Sequence, residues 1–193
     1  MITLSRPRNR ASGQVRIIGG QWRGRKLPVL DSEGLRPTTD RTRETLFNWL
    51  MNDIRGTQCL DAFAGSASLG FEALSRGAAS LTFIEFDKNT AKQIKHNCQT
   101  LAISSKVLQG DALSLLSNFN EQFDVIFADP PFGKGLLIPF VEKVLSERKL
   151  AQGGWLYIEH ESSLSVPDWP ELIKHREKTA GQFTYALYYL TSQ

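Results

Sequence analysis

Phe127-Ala128-Asp129-Pro130-Pro131-Phe132 sets a carboxylate, two prolines and an aromatic ring at the end of a short apolar run, Phe123 to Ala128. The run reads as a buried parallel strand. Prolines lack N–H donors and fix φ, so they end a sheet ladder and turn the chain outward. They do so at the strand's carboxyl end, the edge where open α/β sheets place their ligands. The Asp129 carboxylate, the outward-facing carbonyls such as that of Pro130, and the Phe132 ring suit a flat substrate bearing an amino group. Carboxylate and carbonyl accept its two N–H bonds, and the ring stacks on its face.

Three more strand-like runs end in groups of the same kind. Asp61-Ala62-Phe63-Ala64-Gly65-Ser66-Ala67-Ser68-Leu69-Gly70 follows one run and opens a helix. Small residues there let a ligand approach the backbone, and the helix N-terminus offers free N–H groups. With only Gly65 and Gly70, the dinucleotide fingerprint is not met. A second run ends in Glu85-Phe86-Asp87, where an acid is placed to bind ribose hydroxyls. A third ends in Gly110-Asp111-Ala112, where a carboxylate suits an adenine amino group. Each acid taken alone has a plainer role, Asp111 as a helix N-cap and Glu85 as a solvated charge; together they favour a ligand.

These groups need a scaffold. Strand-like runs fall at Gln58–Asp61, Leu81–Glu85, Lys106–Gln109, Phe123–Asp129, Trp155–Glu159, Leu172–Lys178 and Phe183–Leu190, with helical patterns near 66–76, 88–101, 111–118 and 136–149. Strands separated by helices predict a parallel, doubly wound sheet with helices on both faces. Only Thr179 to Gln182 separate the last two runs, too few for a crossover, so these two must pair antiparallel. Seven strands ending in an antiparallel hairpin is the Rossmann-like layout of the class I methyltransferases.

Ahead of this body, residues 1–13 read as a disordered basic tail. Val15 to Ile18 and Gln21 to Leu30 read as a β-hairpin about a Gly19-Gly20 turn. Leu35-Arg36-Pro37-Thr38-Thr39 leads into a helix of about fourteen residues whose apolar face carries Leu46, Phe47 and Leu50, with Arg41 and Arg43 elsewhere. The expected division is therefore tail 1–13, basic extension 14–55 and catalytic body 56–193.

Charge follows the same division. Residues 1–43 hold ten Lys/Arg against three Asp/Glu; the remaining 150 hold thirteen against seventeen. A basic arm on a near-neutral body points to a polyanion, and its charges interleave with Trp22, Gly24 and apolar residues, unlike a solubilising tail. No apolar run reaches membrane length, and Met1 to Arg10 lacks a signal-peptide core. Cys59 and Cys98 lie far apart without a ligand pattern and read as reduced structural thiols of a cytoplasmic protein. His96, His160 and His175 are scattered, so no metal site is expected.

The layout of Asp61–Gly70, Glu85, Asp111 and Asp129-Pro130-Pro131-Phe132 resembles the S-adenosylmethionine-dependent amino-methyltransferases, which carry an Asp/Asn/Ser-Pro-Pro-aromatic motif after the fourth strand. The front of the chain narrows the resemblance. Arg16-Ile17-Ile18-Gly19-Gly20, Trp22-Arg23-Gly24-Arg25-Lys26-Leu27, Leu35 to Arg41 and Arg43 to Leu50 closely resemble the bacterial 16S ribosomal RNA guanine-N2 methyltransferases of the RsmD type, a likeness running from about residue 14 to the C-terminus. That family often has glycine where Ala67 stands. The resemblance implies S-adenosylmethionine as cofactor, held by Asp61, Phe63, Gly65, Gly70, Glu85, Phe86, Asp111, Ala112 and Asp129. It implies catalysis by Asp129, Pro130 and Phe132, and 16S rRNA, within a small-subunit particle, as the partner of a monomer. Arg16, Trp22, Arg23, Arg25, Lys26, Arg36, Arg41 and Arg43 would grip the RNA. Alternatives are a DNA adenine-N6 or protein-glutamine methyltransferase, which use similar motifs, and a non-catalytic RNA-binding assembly factor. The chain has no inserted target-recognition segment of the DNA kind, and an intact Asp129 motif argues for catalysis.

Overall fold

The computed structural model describes residues 12–30 and 39–191. Among these, β1 (Ser12–Arg16) and β2 (Lys26–Leu30) form an antiparallel pair. Helix α1 (Asp40–Trp49) follows, capped by Thr39, whose hydroxyl accepts the Thr42 N–H at 3.2 Å. The body alternates β3 (Gln58–Asp61), α2 (Ser68–Ser75), β4 (Ser80–Glu85), α3 (Lys88–Thr100), β5 (Lys106–Gln109), α4 (Ala112–Leu116), β6 (Phe123–Ala128), α5 (Leu137–Ser146) and β7 (Leu150–Glu161). It ends in β8 (Leu172–Ala180) and β9 (Phe183–Leu190).

The described strands of the body form one sheet in the order β5-β4-β3-β6-β7-β9-β8. Pairing is parallel from β5 through β7, and β9 runs antiparallel to both neighbours. This is the class I methyltransferase fold expected. One face packs beneath α1, α2, α3 and the β1–β2 pair, around Phe47, Phe71, Phe83 and Phe127. The other packs beneath α4 and α5, around Ile126, Phe140 and Leu156.

Strand β7 starts five residues before Trp155, the expected boundary. The strand runs through Gly153-Gly154, with a register shift against β6. A Cβ at Gly154 would lie 2.7 Å from the Ala151 carbonyl oxygen and 2.9 Å from that of Asp124, so this glycine marks close backbone approach.

The Gly19-Gly20 pair is not the two-residue hairpin turn expected. The β1–β2 connection is longer than two residues and holds a 3-10 turn, Gly20–Trp22. The two glycines lie flat on α2: a Cβ on Gly20 would stand 1.8 Å from the Ser75 carbonyl oxygen. Glu72, fully buried on α2, accepts the Ile18 N–H at Oε2 and the Gly19 N–H at Oε1, both at 2.8 Å. Arg76 holds the same carboxylate at 2.7 Å. The Ser75 hydroxyl donates to the Gly19 carbonyl and accepts the Trp22 N–H. Asn97 of α3 donates to the Pro28 carbonyl at 2.9 Å. With Val15, Ile17 and Leu27 buried in the same core as α1 and α2, the basic extension is fixed to the body.

Arg43 departs from expectation. It sits one turn before Leu46 and Phe47, on the apolar face of α1, and is 1% exposed. Its guanidinium meets the Asp40 carboxylate at 2.5 Å and the Arg16 carbonyl at 3.0 Å. Burial removes it from the groups able to grip a phosphate; it ties α1 to β1.

Candidate active site

The carboxyl ends of β3, β4, β5 and β6 open into one cleft of about 710 Å³. Its walls include Phe63, Gly65, Glu85, Phe86, Asp111, Ala112, Asp129 and Phe132, drawn from all four strand ends. The volume lies within the range of small-molecule sites, ~300–1,000 Å³. Pro130 lines an adjoining hollow of about 40 Å³, which shares Pro131, Phe132 and Leu136 with the cleft and reaches Glu159, His160 and Glu161.

Each wall has a local cause. After β3 the chain turns through Gly65 (φ +51°) and Ala67, which holds a left-handed φ of +58° at the N-cap of α2. That conformation favours glycine, and Ala67 holds it without glycine's freedom. The loop is held from below. Glu85 Oε2 accepts the Gly65 N–H at 2.7 Å, and Oε1 accepts the Asp87 N–H at 2.7 Å. Burial pushes the Glu85 carboxyl up from its ordinary pKa, against these N–H donors. Beyond it the Phe86 ring stands 75% exposed at the rim, an unusual place for a large apolar side chain unless something covers it.

Asp111 caps α4, its Oδ2 accepting the Ser114 N–H at 2.8 Å and the Ser114 hydroxyl at 2.7 Å. The plainer sequence reading therefore holds, and Asp111 lines the cleft as well. Asp129 follows β6 directly and is partly buried. Phe132 packs partly against the core beneath α1, which fixes the ring beside the cleft. Gly133 donates its N–H to the Glu161 carboxylate, tying the turn to the end of β7.

Two expected cofactor residues lie outside the cleft wall. Asp61 pairs in register with Phe83 and Phe127, so the period of two points it under α2, while Ala62 takes the wall. It is 3% exposed, accepts the Gly70 N–H at 3.1 Å, and is pushed up to about 7 by burial. Gly70 faces the sheet, where a Cβ would meet the Phe83 ring at 2.3 Å; it lets α2 pack closely. Both shape the loop from behind. Sequence reasoning missed Ile84, Lys134 and Leu136, which also line the cleft. Lys134 lies in a glycine-flanked turn without periodicity, and only its nearness to Phe132 could have marked it.

Electrostatics follow from the lining. Glu85, Asp87, Asp111 and Asp129 face one cation, Lys134. Such a wall favours a positively charged ligand. Next to Asp129, the Tyr157 hydroxyl donates to Glu159 Oε1 at 2.7 Å, and burial raises the phenol well above its ordinary range. Cys59 and Cys98 are free, with burial pushing their thiols to about 12 and about 11. Among the described residues no three His, Cys, Asp or Glu gather as a metal site, and no helix is long and apolar enough to cross a membrane.

Of the expected RNA-gripping residues, Arg23, Arg25 and Lys26 are exposed around the β1–β2 connection, with Trp22 half-buried against the core. Arg16 is exposed but paired with Asp40 at 2.9 Å. Arg41 is exposed at the start of α1. Arg36 lies outside the described residues.

The family model described as "Conserved hypothetical protein 95" matches residues 15–189. The Escherichia coli K12 protein "Ribosomal RNA small subunit methyltransferase D" is 48% identical over 98% of this chain and 97% of its own. Its Haemophilus influenzae namesake is 50% identical over 92% and 95%. The solved "Putative methyltransferase yhhF from Escherichia coli" superposes with a TM-score of 0.85 at 48% identity, covering 94% of this chain and all of that one. An Asp-Pro-Pro-Phe turn beside an acid-walled cleft, on a chain matched nearly end to end, places this protein in the conserved hypothetical protein 95 family, the RsmD family of methyltransferases.

Proposed function

We infer that this chain transfers a methyl group from S-adenosylmethionine to the exocyclic N2 amine of a guanine in 16S rRNA. The observation that carries the reading is the placing of Asp129 and Phe132 on the rim of a cleft whose other walls are Glu85, Phe86 and Asp111. Those walls fit the cofactor. Glu85 offers lone pairs to ribose hydroxyls, Phe86 gives a face to adenine, Asp111 accepts from its amino group, and the acidic lining suits a sulfonium. When bound, S-adenosylmethionine supplies an electrophilic methyl group.

The chain's residues prepare the amine. The N2 lone pair of guanine is delocalised into the ring, so the nitrogen is a poor nucleophile. Asp129 and the Pro130 carbonyl hold its two N–H bonds and favour an sp³-like nitrogen with its lone pair aimed at the methyl. Phe132 fixes the base plane, a contact worth ~1–3 kcal/mol. Alignment and electrostatic stabilisation supply most of the acceleration. The product ammonium is strongly acidic and loses its proton to Asp129 or water, so no strong base is required. A guanine within a helix must be flipped or already unstacked.

The substrate is the rRNA of an assembling small subunit in the cytoplasm, bound by a monomer. The test is mass spectrometry of rRNA digests from cells lacking the gene, for one missing N2-methylguanosine, beside transfer to naked 16S rRNA and to purified particles. Unchanged digests and no transfer to either substrate would reject the reading.

A further inference from the structure

A second cleft, of about 390 Å³, lies between the start of α1 and the β8–β9 turn. Thr39, Arg41, Thr42, Thr45, Lys178 and Thr179 give it two cations and four hydroxyls, and no carboxylate lines it. Among the described residues neither Arg41 nor Lys178 is in an ion pair.

Sheet register relates this cleft to the candidate active site. Ala128 pairs with Ile158, so Asp129 follows level with Glu159. Glu159 pairs with Tyr185, and Tyr185 with Lys178. Asp129, Glu159, Tyr185 and Lys178 thus form one row across β6, β7, β9 and β8, spanning three strand spacings, ~14 Å. Tyr185 belongs to the core beneath α1 and stacks on Trp49, so the face it shares with Lys178 is the one α1 covers. The cleft therefore opens at the sheet edge that carries Asp129, on the side away from the acid-walled cleft.

We propose that this cleft binds the ribose-phosphate backbone of the RNA strand that delivers its base to Asp129. Arg41 and Lys178 would contact phosphate oxygens, and the Thr39, Thr45 and Thr179 hydroxyls, which are not buried, would bond phosphates or a ribose 2′-hydroxyl. Such contacts position a strand without reading its sequence. The proposal rests on the rRNA reading above and adds a grip separate from the β1–β2 arm.

The test uses the full chain as wild type, as the R41A/K178A double variant, and as K174A. Lys174 lies on the same strand but pairs with Tyr188, on the opposite face of the sheet. Binding to 16S rRNA and to small-subunit particles is measured across a salt series, with S-adenosylmethionine affinity and thermal stability alongside. The double variant should bind RNA roughly tenfold or more weakly at physiological salt, with a log–log salt slope shallower by about 1.5, as two lost phosphate contacts require. KM for RNA should rise more than kcat falls. K174A, and cofactor affinity throughout, should match wild type. A double variant that binds RNA like K174A removes the proposal while leaving the methyltransferase reading intact; Lys178 would then be a guard against edge-to-edge pairing, and its loss would show as self-association. If the wild type itself transfers no methyl group to either substrate, the rRNA reading fails and the cleft's ligand with it.

Discussion

Glu72 on α2 and Gly19 beyond β1 meet through a 2.8 Å hydrogen bond, and the same buried carboxylate also takes the Ile18 N–H. One side chain thus closes two backbone donors of the basic extension onto the helix that starts at the cofactor loop. Glu72→Ala should cost about 2–4 kcal/mol, since buried donors left unpaired carry their full desolvation penalty. Urea denaturation measures it. A loss below half a kcal/mol would mean that the extension is held by its apolar contacts alone. Removal of the whole extension is the poorer experiment, because it strips Val15, Ile17 and Leu27 from the shared core.

Asp129→Ala should lower methyl transfer by at least about a hundredfold, the usual cost of losing one preorganised electrostatic group. Asp129→Asn, which keeps one acceptor oxygen, should fall between the two. Calorimetry should find S-adenosylmethionine binding within a few-fold of wild type. Transfer rates near wild type in the alanine variant would exclude Asp129 from the mechanism.

Asp61 sets a pH dependence. Its carboxyl, pushed by burial from 3.8 to about 7, takes up a proton on folding between those values. The unfolded chain then binds fewer protons than the folded one, so stability falls as pH rises from about 4 to about 7 and levels off above. The drop is at most ~4 kcal/mol by the pKa difference. Glu85, also raised, adds a slope of the same sign. Asp61→Asn keeps an acceptor for the Gly70 N–H and should flatten the profile. Denaturation midpoints at several pH values decide it; parallel wild-type and variant profiles would show that Asp61 is charged throughout.

The arginines should divide into two classes. Arg43→Ala removes a buried partner of Asp40 and the Arg16 carbonyl, and should destabilise by about 1–3 kcal/mol. Arg23→Ala, Arg25→Ala and Lys26→Ala should leave stability within about half a kcal/mol. Each should flatten the salt dependence of RNA binding by roughly 0.7–0.9. Equal RNA affinities for wild type and the triple arm variant would place the grip elsewhere.

The strand ends were legible because buried parallel strands are short apolar runs that stop at glycine, proline or acid. Glu85, Asp111 and Asp129 fell where those runs stopped, and the fold brought them together. What stayed hidden depends on contacts far along the chain. Charge alone points Arg43 to the RNA, although its spacing from Leu46 and Phe47 puts it on the buried face. Gly19-Gly20 looks like a hairpin turn because the Ser75 backbone and Arg76 side chain that crowd it come from residues tens of positions away. Asp61 and Gly70 lie on the right loop, but which side of it each faces is set by the pleat of β3 and the pitch of α2.

The Glu72 clamp also turns the basic arm into a gauge. An arm on a slack linker would let a captured strand offer many bases in turn. Here β1 and β2 are bolted through Glu72, Ser75 and Asn97 to the two helices that flank the cofactor cleft. If Arg25 grips a phosphate as proposed, the distance from that phosphate to an amine at Asp129 is thus set by the fold. On the proposed reading, the guanine is chosen by where its base stands relative to the gripped backbone, and lengthening the arm's seat changes the address before it weakens the hold.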